Sequence, residues 1–171
     1  MKYLVLLALF MPTDVVAANC VKHPIYCQII ENNSTLNKKY AMKLSNIIHK
    51  YSRRYKIDAR IYTAILAQES MYKLNTVATA VGLVKEESDW IVTRISTDFG
   101  ISQIHYRTTE RYKFEIEKLT TDLDYAVDAG AKVLRDFKKS YSKTDNFWWT
   151  RYNAFNKDKR KEYRRKVERY F

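Results

Sequence analysis

Turn-forming residues are scarce in this chain: three glycines and two prolines among 171 residues, with both prolines, Pro12 and Pro24, in the first 24 positions. A β-sandwich or barrel needs frequent Gly and Pro at its turns, so the shortage excludes a many-stranded fold and favours long helices joined by short loops. Gly82, Gly100 and Gly130 are isolated from one another, which removes any Gly-rich phosphate cradle. Long apolar runs are missing too. The longest, at residues 3–11, is about half the ~20 residues that a membrane span requires. Cysteine is limited to Cys20 and Cys27, with no histidine cluster beside them, which makes a poor zinc cage. Acidic residues are outnumbered, with 31 Lys and Arg against 19 Asp and Glu for a formal charge of +12. Such a surplus implies a polyanionic partner without naming it, because nucleic acid, anionic lipid and bacterial wall all qualify.

Location narrows that choice. Lys2, the apolar run and the small residues Val16, Ala17 and Ala18 follow the layout of a secretory leader, which places a signal peptide over residues 1–18. The expectation is an exported protein of the periplasm or cell wall, with no stable membrane span after processing and no nucleic acid as partner. Asn19 before Cys20 disfavours lipid attachment, since such sites carry a small residue there. Outside the cytoplasm two cysteines so close in sequence form a disulfide more often than a metal site, so Cys20 and Cys27 are expected to close a small loop. Residues 19–38 then read as that loop and a polar, Asn-rich linker, and residues 39–171 as one domain of a size that supports its own core.

Within the domain, Leu44, Ile47, Ile48, Tyr51 and Tyr55 recur at helical spacing. Asp58 is a good N-cap, with Ile57 before it and Tyr62 after it as a hydrophobic staple. Tyr62, Ile65, Leu66 and Glu69 then fall on one face, so a carboxylate is aimed where apolar residues point. A buried carboxyl must raise its pKa or find a donor, and either outcome suits a general acid; a plain ion pair at a frayed helix end is the structural alternative. Alternation over Trp90 to Ile95 predicts a short β-hairpin near residues 88–97 in an otherwise all-α chain. A helix is expected from about Thr108 to Leu119. Another begins at a capping signal at Thr121 and Asp122 and carries the stripe Ala126, Gly130, Val133, Leu134, Phe137 and Tyr141 against the Glu69 helix. Gly130 within it implies a close approach. Residues 157–169 hold eight Lys and Arg against three acids, read as a solvated helix face with Tyr163, Val167 and Tyr170 inward, or as an attachment surface for anionic wall or lipid.

Three segments, taken in order, resemble the catalytic domain of the soluble lytic transglycosylases, the goose-type-lysozyme-like family. They are Ala64-Ile65-Leu66-Ala67-Gln68-Glu69-Ser70, Asp98-Phe99-Gly100-Ile101-Ser102-Gln103-Ile104 and Arg151-Tyr152-Asn153-Ala154. Each is weak by itself; their order and the helical stripe between the second and third carry the resemblance. The layout is similar to small exported members that serve secretion, conjugation or pilus systems, or phages. The resemblance implies a lysozyme-like helical fold and cleavage of peptidoglycan glycan strands with Glu69 as catalytic acid and base. It further implies that Ser70 steadies the helix end or touches the sugar, that Gln103 and the backbone around Gly100 line the subsite, and that Tyr152, aimed by Asn153, hydrogen-bonds Glu69.

The resemblance supplies one catalytic carboxylate where ordinary glycosidases use two. Asp98 is the nearest second candidate, at a position the family does not use that way. A lone Glu can protonate the leaving oxygen and then deprotonate the sugar's own 6-hydroxyl, a route that calls for no metal and no cofactor. Two departures bear on the subsite: Ser102 stands where the family places an apolar residue over the substrate, and 31 positions separate Glu69 from Gly100. A hydrolase on the same fold, a non-catalytic glycan-binding protein and a basic nucleic-acid-binding protein are the competing readings.

Overall fold

The computed structural model of the chain describes residues 20–86 and 89–171. The leader expected at 1–18 lies outside the described residues. Helices dominate, and one small sheet interrupts them.

Helix α1 (Pro24–Asn32) starts on a proline, whose fixed φ suits a first helical turn. The Cys20–Cys27 disulfide ties the preceding chain to it. Part of the expected linker is therefore helix: Ile25 and Ile29, one turn apart, enter the main core. Gln28 bridges chain regions far apart in sequence, its Nε2 donating to Arg60 O at 3.1 Å and Tyr170 O at 2.8 Å. Buried apolar residues every fourth position outweighed the polar look of the segment.

Helix α2 (Lys38–Tyr55) is capped by the Asn37 side chain, which accepts from the Lys39 and Tyr40 amides, and it buries the expected stripe through Leu44, Ile47, Ile48 and Tyr51. Helix α3 (Ala59–Ser70) begins as expected, with the Asp58 carboxylate accepting from the amides of Arg60 and Ile61. It is buried on most sides, from Tyr62 to Ala67, so it is the central helix around which the others pack. Left-handed Met71 and Tyr72 end it, at φ of 51° and 67°.

The chain then forms β1 (Val77–Glu86) and β2 (Asp89–Phe99), an antiparallel hairpin that runs beyond the expected 88–97 on both sides, with a register shift between Gly82 and Leu83. Its base is extended by β3 (Ile104–His105), in which His105 pairs with Asp98 and Ile104 with Phe99. The helix expected from Thr108 to Leu119 is two: α4 (Tyr106–Tyr112) and α5 (Ile116–Thr121). Lys113, left-handed at φ 54°, separates them and lets Phe114 fold back onto Tyr112 and Tyr125.

Helix α6 (Leu123–Tyr141) starts at the expected cap, Asp122, whose side chain accepts from the Tyr125 amide. The stripe expected to lie against the Glu69 helix packs instead along α2, α5 and the segment at residues 148–152. Helix α6 meets the Glu69 helix through Tyr62, whose hydroxyl donates to Val127 O at 2.7 Å. The close approach expected at Gly130 is real, although the neighbours are side chains: a Cβ there would lie 2.3 Å from Ser102 Oγ and 2.6 Å from Tyr62 OH. A 3-10 helix (Trp148–Tyr152) and α7 (Lys157–Glu168) close the fold. Tyr163 and Val167 of α7 face inward as the spacing predicts, and α7 lies against α3.

Candidate active site

Glu69 is the penultimate residue of α3, one turn beyond Ile65 and Leu66, so the periodicity that buries those side chains carries its carboxylate into the protein. It ends at the floor of a cavity of about 720 Å³. One wall is α6, through Val133, Asp136 and Phe137; the other is the base of the sheet and α4, through Asp98, Ile104, His105 and Arg107. Tyr152 and Asn153 close one end.

Three influences act on the Glu69 carboxyl. Burial is the largest and raises its pKa; a hydrogen bond from Tyr163, OH to Oε1 at 2.5 Å, opposes that; and the charge of Asp98 raises it again. The balance lifts it from 4.5 to about 7. Its seat at a helix carboxyl end works in the same direction, since the unpaired carbonyls there disfavour an anion. A carboxyl poised near neutrality is protonated in a large fraction of molecules and still able to give its proton up. Asp98, the second acid near the floor, is likewise raised by burial, with His105 partly offsetting it. Asp136 is the opposite case: burial raises it, but the hydrogen bonds it accepts from Arg135 Nε and the Tyr112 hydroxyl outweigh that and hold it below its ordinary value. Of the three acids lining the cavity, then, Glu69 has the environment of a proton donor.

The cavity brings together Glu69, Gln103, Tyr152 and Asn153, and leaves Ser70 and Gly100 behind its wall. Ser70 does not line the cavity. It is buried, and its hydroxyl donates to Ile101 O at 2.8 Å, fastening the end of α3 to the turn at 100–103. Gly100 shapes that turn from behind: its φ is +73°, its amide donates to Thr76 O at 2.8 Å, and a Cβ would stand 2.0 Å from Leu119 O, so only glycine fits. Gln103 spends its amide hydrogens on the carbonyls of Gly100 and Thr76, at 2.8 and 3.1 Å, while lining the cavity. It braces the turn and presents one edge to the groove.

Two expected roles are corrected. Tyr152 does not hydrogen-bond Glu69; its hydroxyl donates to Ser102 O at 2.7 Å. The donor to Glu69 is Tyr163, from α7, which the sequence marks as inward-facing with no sign of what it meets. Ser102, at the position the resemblance places over the substrate, does not line the cavity either. It is buried against α6, its Oγ donating to Ala126 O at 3.2 Å and sitting 3.4 Å from Tyr62 OH. A polar side chain fits that position because Tyr62, Ala126 and the space left by Gly130 receive it. Asn153 closes the 3-10 helix through its backbone amide, which donates to Thr150 O at 3.4 Å, and so helps set where Tyr152 stands.

A family model described as Transglycosylase SLT domain matches residues 46–170. All three motif segments fall inside that span, as does Tyr163; the disulfide and α1 precede it. No curated protein and no solved structure matches the chain.

Proposed function

The chain belongs to the SLT transglycosylase family, which acts on peptidoglycan, and from that premise we propose that it cuts the β-1,4 bond between N-acetylmuramic acid and N-acetylglucosamine, leaving a 1,6-anhydromuramic end. The observation that carries this reading is the buried carboxyl of Glu69 at the floor of the groove, raised by burial to about 7 and hydrogen-bonded by Tyr163.

The reaction uses that carboxyl twice. Protonated Glu69 gives its proton to the glycosidic oxygen as the bond to the muramyl C1 breaks, and the N-acetylglucosamine side leaves as an alcohol. The cation at C1 is stabilised by the substrate's own N-acetyl oxygen. Glu69, now a carboxylate, takes the proton from the muramyl 6-hydroxyl as that oxygen bonds to C1. The anhydro ring forms, Glu69 is protonated as at the start, and no water is consumed. Tyr163 steadies the intermediate carboxylate with its hydrogen bond, and burial makes the first proton available near neutral pH.

Asp98 supports a second reading. It lines the same cavity and acts on the Glu69 charge, so a water held by Asp98 would make the enzyme a hydrolase with reducing ends. Mass spectrometry of muropeptides released from purified peptidoglycan separates the two: anhydromuramyl ends are expected, and reducing ends alone would transfer the function to the hydrolase. A Glu69→Gln protein that still lyses wall at the parent rate would remove Glu69 from both schemes, and an unmutated protein that binds sacculi without releasing any product would leave a glycan-binding role.

Peptidoglycan lies outside the cytoplasm, and the work proposed for the chain is there. The leader layout of residues 1–18 and the Cys20–Cys27 disulfide support an exported protein. Among the described residues no helix is long and apolar enough to cross a membrane. The reading extends to local wall opening for a secretion, conjugation or pilus apparatus, or for a phage.

A further inference from the structure

Helix α6 separates two clefts. Val133, Asp136, Phe137, Ser140 and Tyr141 face the Glu69 cavity; the neighbouring positions Lys132, Arg135, Lys138, Lys139 and Lys143 face a second cleft of about 870 Å³. At about 100° per residue the two sets fall on roughly opposite faces of α6, so the body of the helix stands between the clefts. The end of α2 supplies the far wall through Arg54, Tyr55 and Lys56.

Seven of the nine residues lining this second cleft are cationic, and none is acidic. Three of the cations have structural work. Lys132 pairs with Asp128 at 2.8 Å; Arg135 pairs with Asp136 at 2.7 Å and lies over the Tyr55 ring; Lys138 donates to Lys56 O. Arg54, Lys56, Lys139 and Lys143 are exposed and, among the described residues, have no carboxylate partner. Helices α2 and α6 both end here, and their carboxyl-terminal dipoles supply roughly half a negative charge each. That accounts for about one of the four cations and leaves a concave site with a surplus of positive charge.

We propose that this cleft binds the free carboxylates of the peptide stems of peptidoglycan, so that the wall is held on both sides of α6. The inference rests on the reading of the Glu69 groove as a glycan site. Reach sets which stem it is: a helix with its side chains is about 10–12 Å across, so the way round it is about 16–19 Å, whereas an extended stem of roughly four residues spans about 13 Å. A stem that ends in the basic cleft therefore comes from a neighbouring strand of the wall rather than from the strand in the groove. Shape and charge together favour a flexible acidic peptide over a flat anionic surface, which would touch only the rim.

The test uses the full chain carrying Glu69→Gln, so that the wall stays uncut, with or without Arg54→Gln, Lys139→Gln and Lys143→Gln. Binding is measured to purified sacculi, to sacculi stripped of stems by an amidase, and to phosphatidylglycerol vesicles. Three exposed charge contacts of this kind together are worth about tenfold in affinity. The expected result is that loss on intact sacculi, no change on stripped ones, and stripped sacculi binding the parent more weakly than intact ones. Equal loss on both sacculi, no loss on either, or loss confined to vesicles would each overturn the proposal, the last in favour of a lipid surface. Circular dichroism checks the fold, and the single Lys143→Gln protein, altered beyond the end of α6, repeats the comparison at about twofold should the triple variant not fold. Failure of the glycan-cutting reading shows separately, in the products of the unmutated enzyme; stem-dependent binding is read without any turnover.

Discussion

Replacing Glu69 by Gln should abolish lysis and, at alkaline pH, make the protein more stable. The amide is close to isosteric, keeps an oxygen to accept from Tyr163, and cannot ionise. In the native protein the carboxyl has its pKa raised from 4.5 to about 7, chiefly by burial. Below pH 4.5 the folded and unfolded chains both hold the proton, and the site exerts no pH-dependent pull. Between 4.5 and 7 the folded chain binds more protons, so stability falls as pH rises; above 7 both are ionised and the whole penalty of a buried anion is present. At ~1.4 kcal/mol per pH unit the penalty reaches about 3 kcal/mol. The Glu69→Gln protein lacks it, and titrations common to both proteins cancel in the difference. Thermal unfolding of the pair at pH 4 and pH 8 measures it. The gap in Tm should widen by about 6–12 °C at pH 8 for a chain of this size. A gap unchanged with pH, or a variant less stable at pH 8 than at pH 4 relative to its parent, would refute the claim that this carboxyl is held against its preference to ionise.

Tyr163 and Asp98 push Glu69 in opposite directions, so their removal should move the alkaline limb of the kcat/KM profile oppositely. Tyr163→Phe should carry it to higher pH with kcat down about tenfold or more, a hydrogen bond to a charged group being worth about 1.5–3 kcal/mol, and Asp98→Asn should carry it to lower pH with lysis retained; shifts of the same sign would contradict the assignment. Gly130→Ala places a methyl 2.3 Å from Ser102 Oγ and should cost about 1–3 kcal/mol in urea denaturation. Adding Ser102→Ala should restore only part of that, because Tyr62 OH is 2.6 Å from the same point. Reduction of the Cys20–Cys27 disulfide, which closes a short loop, should lower stability by about 2 kcal/mol, and thiol titration of the oxidised protein should find no reactive cysteine.

The helix starts at Asp58 and Asp122 were legible because caps are local, each accepting from amides two or three residues on; the cap at Asn37 was hidden in a segment read as linker. Helix ends were less so. The break at Lys113 carries neither Gly nor Pro; a left-handed lysine is tolerated there because Phe114 gains contacts with Tyr112 and Tyr125. The linker expected within residues 19–38 gives way to helix as far as Asn32 for a related reason, since the asparagines that look like loop residues include Asn32, whose side chain donates to Tyr72 OH and Tyr170 O. These partners lie 40 and 138 positions away.

By itself the sequence determined that the chain is helical, that the period of α3 drives Glu69 inward, and that three motif segments stand in the order of a wall-cutting family. The first two follow from near-neighbour spacing, from what lies within a turn or two of each residue; the third is a resemblance that the motif residues and their order carry. Only the tertiary structure decided who holds Glu69, where Ser102 and Ser70 point, and that α6 stands between an acid-bearing groove and a basic cleft. Each of those depends on a hydroxyl or a charge brought close by packing between elements, such as Tyr163 meeting Glu69 across 94 positions. Periodicity says that a side chain turns inward; it carries no information about which other element waits there.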